Sequence, residues 1–245
     1  MSMRTLSLGT AAALLTAAAP AFVPAVAQAE VTGNVTLTSD YRFRGISQTN
    51  KKPAFQGGFD FAHESGLYVG NWNSNVDSGF LAGANLEMDF YGGFRGSFDA
   101  FSYDVGGLYY YYPGSDPGIN TFELYASAGW GPVSLKYSYA VTDFFGWDDS
   151  SGSWYLDGKV TFPINDQLSV FGRAGYQSLE GDARVVEINS TAVRDSITDW
   201  QIGVTYDLSG WVLGASYIGT NRDLAGSTGK NVSNDTFVVS VSKSF

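Results

Sequence analysis

Hydrophobic and polar residues alternate along most of the chain. The pattern is clearest in residues 234–245, where Phe237 and Val239 lie two positions apart and small polar residues such as Ser240 and Ser242 lie between the apolar ones. Side chains of a β-strand point alternately to its two faces, so one face of this strand is apolar and the other is polar. A strand of this kind that ends on a phenylalanine is typical of the closing strand of an outer-membrane barrel.

The same alternation recurs in segments of about nine to eleven residues, the length of a transmembrane β-strand. Twelve such segments begin near Val31, Pro53, Leu67, Leu81, Phe98, Asn120, Pro132, Ser153, Gln167, Thr198, Trp211 and Asp235. An even number fits a single-chain bacterial barrel. The third segment can present either face outward, so counts of ten and fourteen strands also stay open. A soluble β-sandwich shows the same alternation, and the connections have to separate the two folds.

Short and long connections alternate along the chain. Five are tight and have the sequences HESG, GGFRGS, WG, PIND and SG, whereas the longest runs over residues 178–197. Outer-membrane barrels have short periplasmic turns and longer outer loops, and compact soluble domains rarely contain so long a structureless stretch. The sequence therefore predicts an all-β fold, a transmembrane antiparallel up-and-down β-barrel of 12 strands.

Tryptophans lie near both ends of the predicted strands. Trp130 and Trp211 fall at the short-turn end, and Trp154 and Trp200 fall at the long-loop end. Barrels carry aromatic girdles at both membrane interfaces, so we interpret these four residues as girdle positions rather than ordinary strand-end aromatics.

The first 29 residues have the features of a secretory signal. A charged start precedes an apolar run broken by Pro20 and Pro24, and small residues lead to Ala29. The prolines make a membrane-anchoring helix a poorer interpretation. We expect cleavage after Ala29 and export to the periplasm, followed by insertion of residues 30–245 into the bacterial outer membrane as a single barrel domain.

The amino-acid composition argues against several classes of function. The net charge of −10 argues against binding to nucleic acid, which needs clustered cations. The chain has no cysteine and one histidine, His63, so disulfides, thiol chemistry and the usual zinc sites are excluded. His63 is also the sole candidate for a catalytic histidine base, and it falls at a predicted short turn. We therefore expect no enzymatic activity, no cofactor and no metal.

Residues 39–61, SDYRFRGISQTNKKPAFQGGFDF, resemble the TorF-like porin family of small bacterial outer-membrane proteins. The resemblance is specific in this first hairpin and continues more loosely, through strand lengths and glycine-rich turns, to Phe245. It implies a barrel and a pore, and it implies no particular substrate.

The first long connection is basic in an otherwise acidic chain, with Arg42, Arg44, Lys51 and Lys52 close together. One hypothesis is a basic patch at the outer mouth that folds inward or contacts lipopolysaccharide phosphates through charge-assisted hydrogen bonds. The alternative is a solvated loop whose cations balance neighbouring carboxylates.

Charged residues on the polar strand faces should line the lumen, because basic groups facing lipid near the midplane would each cost about 2–4 kcal/mol. The predicted lining residues are Asp60, Glu87, Asp89, Asp104, Glu123, Lys136, Asp157, Lys159 and Arg173. Acids outnumber bases, which predicts a mild cation preference. Inward Tyr125, Tyr155 and Phe171 would narrow the bore.

Two hypotheses for the function follow from these predictions. The first is a porin-like channel for passive diffusion of small hydrophilic solutes or ions, and the second is a closed barrel that serves as a structural or adhesive surface protein. In either case Phe245 ends the strand that closes the barrel and takes part in assembly. The expected partners are outer-membrane lipid, lipopolysaccharide, the barrel-assembly machinery during biogenesis and small solutes.

Overall fold

Twelve antiparallel β-strands form one closed barrel in the computed structural model, which describes residues 29–245. The strands are β1 Glu30–Thr38, β2 Ala54–Ala62, β3 Leu67–Asn75, β4 Leu86–Phe98, β5 Phe101–Tyr111, β6 Thr121–Trp130, β7 Val133–Ala140, β8 Trp154–Pro163, β9 Leu168–Ser178, β10 Ser196–Leu208, β11 Trp211–Thr220 and β12 Thr236–Ser244. The predicted barrel and its strand count are confirmed. The predicted signal peptide lies outside the described residues except for Ala29. Within residues 29–245, no helix is long and apolar enough to cross a membrane.

Strand β12 closes the barrel by pairing with β1. The register runs from Thr38 opposite Ser240 to Asn34 opposite Ser244. Beyond the strand end, the Phe245 amide donates to the Gly33 carbonyl at 2.9 Å, and the Gly33 amide donates to the Phe245 carbonyl at 2.7 Å. Closure leaves no sheet edge exposed to lipid, where an unpaired backbone group has no hydrogen-bond partner.

The predicted turn at GGFRGS is wrong. Residues 92–97 lie inside β4, and the chain reverses at Asp99 and Ala100 instead. A Cβ atom added at Gly93 would lie 2.3 Å from the carbonyl oxygen of Val105 and 2.7 Å from the hydroxyl of Tyr68. This glycine therefore makes room for a tyrosine within the wall, and its presence does not signal a reversal.

Six long loops lie at the other end of the barrel, as the alternation of connection lengths predicted. We number them loop 1 (residues 39–53), loop 2 (76–85), loop 3 (112–120), loop 4 (141–153), loop 5 (179–195) and loop 6 (221–235). Loop 5 is not structureless: it contains a 3₁₀ turn at Gly181–Ala183 and a small hairpin of Val185–Val186 with Val193–Arg194.

The two faces of the wall differ as a transmembrane barrel requires. Outward side chains such as Phe59, Leu124 and Ile202 are about half or more exposed, at 61%, 50% and 59%. The ambiguous strand β3 presents Leu67 and Val69 outward and buries Tyr68 and Trp72 inside.

The four predicted girdle tryptophans lie at the two ends of the wall. Trp130 and Trp211 are exposed beside the short turns. Trp154 packs against the rings of Tyr137 and Tyr176, and Trp200 packs against Tyr217, at the long-loop end.

Candidate functional site

Loop 1 folds into the barrel and reaches the inner wall. Arg44 and Gly45, with φ angles of 48° and 82°, form its tip. A Cβ atom on Gly45 would lie 2.4 Å from Cγ2 of Thr220 and 2.9 Å from Cβ of Asp199, so only glycine fits this approach to β10 and β11. The basic residues of loop 1 therefore do not form one exposed patch. Arg42 and Arg44 are buried, whereas the side chain of Lys52 is 70% exposed.

Arg44 anchors the tip of loop 1 across the lumen. Its Nη2 donates to Oε1 and Oε2 of Glu123 at 2.8 and 2.7 Å, and its Nη1 donates to Oε1 of Gln177 at 2.5 Å. Burial lowers the pKa of Arg44, but the carboxylate of Glu123 together with Tyr110 and Tyr155 outweighs burial, so this pKa is raised and the guanidinium stays charged. The guanidinium also lies 4.4 Å from the ring centre of Tyr155. One side chain thus connects loop 1 to β6, β8 and β9.

Arg42 ties loop 1 to the last loop of the chain. Its Nε donates to Oδ2 of Asp40 at 2.6 Å. Its Nη1 donates to the carbonyls of Gly45, Val232 and Asn234 at 2.9, 2.9 and 3.2 Å. Because Val232 and Asn234 belong to loop 6, the first and last loops form one unit inside the rim.

The predicted lining residues of the short-turn half are distributed around the inner wall. Asp60 accepts from the hydroxyl of Tyr91 at 2.7 Å, and Asp104 accepts from the hydroxyl of Tyr68 at 2.6 Å. Lys136 lies 4.1 Å from the ring centre of Tyr125. In a similar arrangement, the ammonium of Lys159 is 5.4 Å from the ring centre of Phe171.

Arg173 on β9 connects an acid on β8 with an acid on β10. Its Nε lies 2.7 Å from Oδ1 of Asp157, and its Nη1 lies 3.0 Å from Oδ1 of Asp199. The hydroxyl of Tyr155 accepts from Arg173 and donates to Oδ2 of Asp199 at 2.8 Å. Gly175 makes this possible, because a Cβ atom there would collide with the hydroxyl of Tyr155.

Glu87 and Asp89 lie on the inner face of β4, near the long-loop end, and are 1% and 0% exposed. The hydroxyl of Tyr41 in loop 1 donates to Oε1 of Glu87 at 3.0 Å. The ring of Tyr41 packs edge-on against Trp72, with 5.4 Å between the ring centres. These two carboxylates are therefore covered by loop 1.

Arg44 belongs to the basic loop for which inward folding is one of the two hypotheses, whereas the inward positions of Arg95 and Asp199 are absent from the sequence prediction. Arg95 was assigned to a turn, although it lies over the ring of Tyr68 with 4.9 Å from its guanidinium carbon to the ring centre. Asp199 follows the predicted strand start at Thr198, and its alternation with Gln201 continues the polar face of β10. That period of two was a usable signal for Asp199.

One side of the lumen is lined mainly by neutral hydrogen-bonding groups. A cavity of about 40 Å³ lies between loop 1 and the wall formed by β11, β12, β1 and β2. Its lining includes the hydroxyls of Thr36, Ser216 and Ser240 and the amides of Gln56 and Gln201, and the ion pair of Arg42 with Asp40 lines it from loop 1. Most inward charges thus lie on β4 to β10, and the remaining wall is neutral apart from Asp60 on β2, towards the short turns.

Buried hydrophobic residues from the loops close the long-loop end. One cluster joins Tyr41 of loop 1 and Leu81 of loop 2 to inward residues of β3 and β5. A second cluster joins Phe144 of loop 4 to Leu224 and Val232 of loop 6. Phe145 packs against both clusters. In this structure the outer half of the lumen is therefore filled by the loops.

Comparison with known proteins places the chain in a family. Residues 24–245 match the family described as a bacterial protein of unknown function, Gcw_chp. The chain belongs to the Gcw_chp family. No curated protein sequence matches it. Nδ1 of His63, the one histidine, lies 2.8 Å from Oγ of Ser65 and accepts from the Ser65 amide at 3.2 Å, at a short turn. Residues 29–245 contain no group of three or more histidine, cysteine or acidic side chains that could hold a metal ion.

Solved structures similar to this Gcw_chp protein include two porins. The NanC porin aligns with a TM-score of 0.57 and 12% identity, over 87% of this chain and 99% of its own. The KdgM porin, solved in complex with disordered oligogalacturonate, aligns with a TM-score of 0.53 and 9% identity, over 88% of this chain and 98% of its own. At these identities the likeness shows that the barrel fold is shared.

Proposed function

We propose that this Gcw_chp protein is a porin-like channel of the bacterial outer membrane, through which small hydrophilic solutes or ions diffuse passively. The observation that carries the proposal is the division of the wall: apolar side chains outside, and charged or hydroxyl-bearing side chains inside. Facing these polar side chains inward keeps them out of lipid, where a polar group without a hydrogen-bond partner is costly. The resemblance of the first hairpin to the TorF-like porins supports the same reading.

The bore is narrow and carries a mild cation preference in this proposal. The inward acids are Asp60, Glu87, Asp89, Asp104, Glu123, Asp157 and Asp199, and the inward bases are Arg44, Arg95, Lys136, Lys159 and Arg173. Asp199, Arg44 and Arg95 are the charges added to the set predicted from sequence. Acids still outnumber bases, by a smaller margin than in the predicted set. An acidic wall raises the local concentration of cations.

Loop 1 is the constriction of this channel. Together with loops 2, 4 and 6 it fills the long-loop half of the lumen, and its anchor is the ion pair of Arg44 with Glu123. Conduction then follows the wall of hydroxyl and amide groups beside loop 1, or it requires loop 1 to move. The proposal includes no enzymatic activity, because His63, the one histidine, lies at a short turn far from the outer rim.

A second candidate is a closed barrel that acts as a structural or adhesive surface protein. The filled outer half of the lumen favours it, because two buried hydrophobic clusters stabilise the closed rim. In this reading exposed groups such as Lys52 contact lipopolysaccharide phosphates, and solutes do not pass.

Planar-bilayer recordings of the purified protein distinguish the two functions. The channel predicts reproducible single-channel steps and a reversal potential that favours cations in a KCl gradient. An Arg44→Gln variant should conduct more than the wild type, because loop 1 loses its anchor, whereas Lys52→Gln is the matched control on the same loop. Absence of conductance in all three proteins would support the closed barrel, and anion selectivity would reject the proposed lumen charge.

A further inference from the structure

The inner face of β4 carries a group of buried polar atoms with no hydrogen-bond partner. Among the described residues, none donates to Oδ1 or Oδ2 of Asp89 or to Oε2 of Glu87, and none accepts from Nε1 of Trp72. Trp72 on β3 is the direct cross-strand neighbour of Asp89, and Tyr110 on β5 is its neighbour on the other side. Asp89, Glu87, Trp72 and Tyr110 are all at most 2% exposed.

Asp89 differs in this respect from the other inward acids of the described chain. Asp60 and Asp104 accept from tyrosine hydroxyls, Glu123 pairs with Arg44, and Asp157 and Asp199 pair with Arg173. A buried carboxylate is costly unless it is paired and hydrogen-bonded, and here a second carboxylate lies two residues away on the same face. This geometry favours a positively charged ligand.

The surrounding groups select the kind of cation. Calcium takes six to eight oxygen ligands, and residues 29–245 offer no cluster of three acids or histidines. The two cross-strand neighbours of Asp89 are aromatic, Trp72 and Tyr110, and Tyr41 packs on Trp72. Aromatic faces attract ammonium groups, and a carboxylate accepts their N–H bonds. The unpartnered indole N–H of Trp72 can donate to an acceptor on the same ligand.

We propose that Asp89, Glu87 and Trp72 form a binding site for a small primary ammonium compound that also carries a hydrogen-bond acceptor, such as an amino alcohol or an amino acid. Tyr41 covers this ammonium site, because its hydroxyl donates to Glu87 and its ring packs on Trp72. A ligand therefore enters when loop 1 moves. The inference rests on the proposed function only in that the ligand reaches the site through the lumen.

Titration calorimetry of the refolded full-length barrel in detergent tests the site. The probes are ethanolamine, methylammonium, which lacks the hydroxyl, and KCl, all at equal ionic strength. We expect saturable binding of ethanolamine by the wild type and a loss of affinity of at least about tenfold in Asp89→Asn, because a charge-assisted hydrogen bond is lost. Asp104→Asn is the matched control and should bind like the wild type.

Trp72→Phe adds a readout that a general loss of structure would not give. It should weaken ethanolamine binding and leave methylammonium binding unchanged, because only ethanolamine presents an acceptor to the indole N–H. Should Asp89→Asn fail to fold, as judged by its mobility on gels before and after heating, Glu87→Gln takes its place.

Several results would overturn the inference. These are no saturable heat with the wild type, equal affinity in the Asp89 and Asp104 variants, or binding of K⁺ that matches ethanolamine. Bilayer recordings of the same samples separate this inference from the channel. Conductance without binding rejects the ammonium site alone, and binding without conductance rejects the channel alone.

Discussion

Arg44 of loop 1 donates two hydrogen bonds to Glu123 of β6, at 2.8 and 2.7 Å, across 79 residues of sequence. Both side chains are buried, with 8% and 2% exposed. Removing one partner of such a pair leaves an uncompensated buried charge, whereas removing both can be nearly neutral. This ion pair is therefore a main anchor that holds loop 1 in the lumen.

Arg44→Gln should lower the free energy of unfolding by about 3–5 kcal/mol, because Glu123 then stays buried without its cation. Urea unfolding in detergent micelles or lipid vesicles measures the change. The double variant with Glu123→Gln should recover part of the loss, since the unpaired carboxylate is gone. If Arg44→Gln is no less stable than Lys52→Gln, the ion pair does not anchor loop 1.

A charged side chain on the lipid-facing surface should destabilise the barrel more when it lies closer to the middle of the membrane. Val105 lies in the middle of β5 with its side chain outward, and Phe101 begins the same strand beside a short turn. Val105→Arg should cost about 2–4 kcal/mol and Phe101→Arg about 0–1 kcal/mol. Equilibrium unfolding in lipid vesicles checks this difference. Equal costs at the two positions would contradict the proposed membrane placement of the barrel.

Alkaline pH should expose the role of Tyr41. Burial and then the charge of Glu87 raise the pKa of Tyr41 above its ordinary value, so the folded protein holds this proton more tightly than the unfolded chain. The resulting stabilisation is present below about pH 10, the unfolded pKa, and is lost as the pH rises from there towards the folded pKa. Tyr41→Phe should show a shallower loss of stability above pH 10.

This comparison isolates Tyr41 because the other buried tyrosines are common to both proteins. Unfolding midpoints measured between pH 8 and pH 11 would give the two slopes. Parallel slopes would show that the Tyr41 hydroxyl makes no difference to the proton affinity of the fold.

Phe245 should matter for barrel closure. Its backbone exchanges two hydrogen bonds with Gly33, and a Cβ atom on Gly33 would lie 2.6 Å from Cε2 of the Phe245 ring. Deletion of Phe245 should therefore slow insertion into vesicles, measured by the appearance of the heat-modifiable band on gels. Phe237→Ala, at the exposed other end of β12, is the control and should insert at the rate of the wild type.

The fold could be predicted because strand alternation is a local property. The strand face on which residues such as Phe237 and Ser240 lie can be assigned from their spacing in the sequence alone. A lipid-facing barrel requires this alternation in every strand. Connection lengths then distinguished a barrel from a sandwich. The one misplaced turn, residues 92–97, shows the limit: glycine marks either a reversal or a close approach of a side chain, and only the neighbouring strands decide which.

The site was harder to predict because its contacts are distant in sequence. The inward faces of Asp60 and Glu123 follow from alternation, but Arg44 lies in a loop whose path has no periodic signal. The roles of Glu123 in β6, which pairs with Arg44, and of Gly45 can be recognised only in the closed barrel. The pairing of Arg173 with Asp199 across neighbouring strands was missed for a similar reason.

The hydrogen bonds of Arg42 to Val232 and Asn234 span 190 and 192 residues. Both hydrogen bonds need the segment before β12 to lie beside loop 1, so we expect them to form late in folding. Contacts of such high sequence separation are slow to form because loop-closure entropy must be lost first. An assembly intermediate with an unzipped seam would consequently have a wider lumen than the finished barrel, and completion of the seam would itself restrict it.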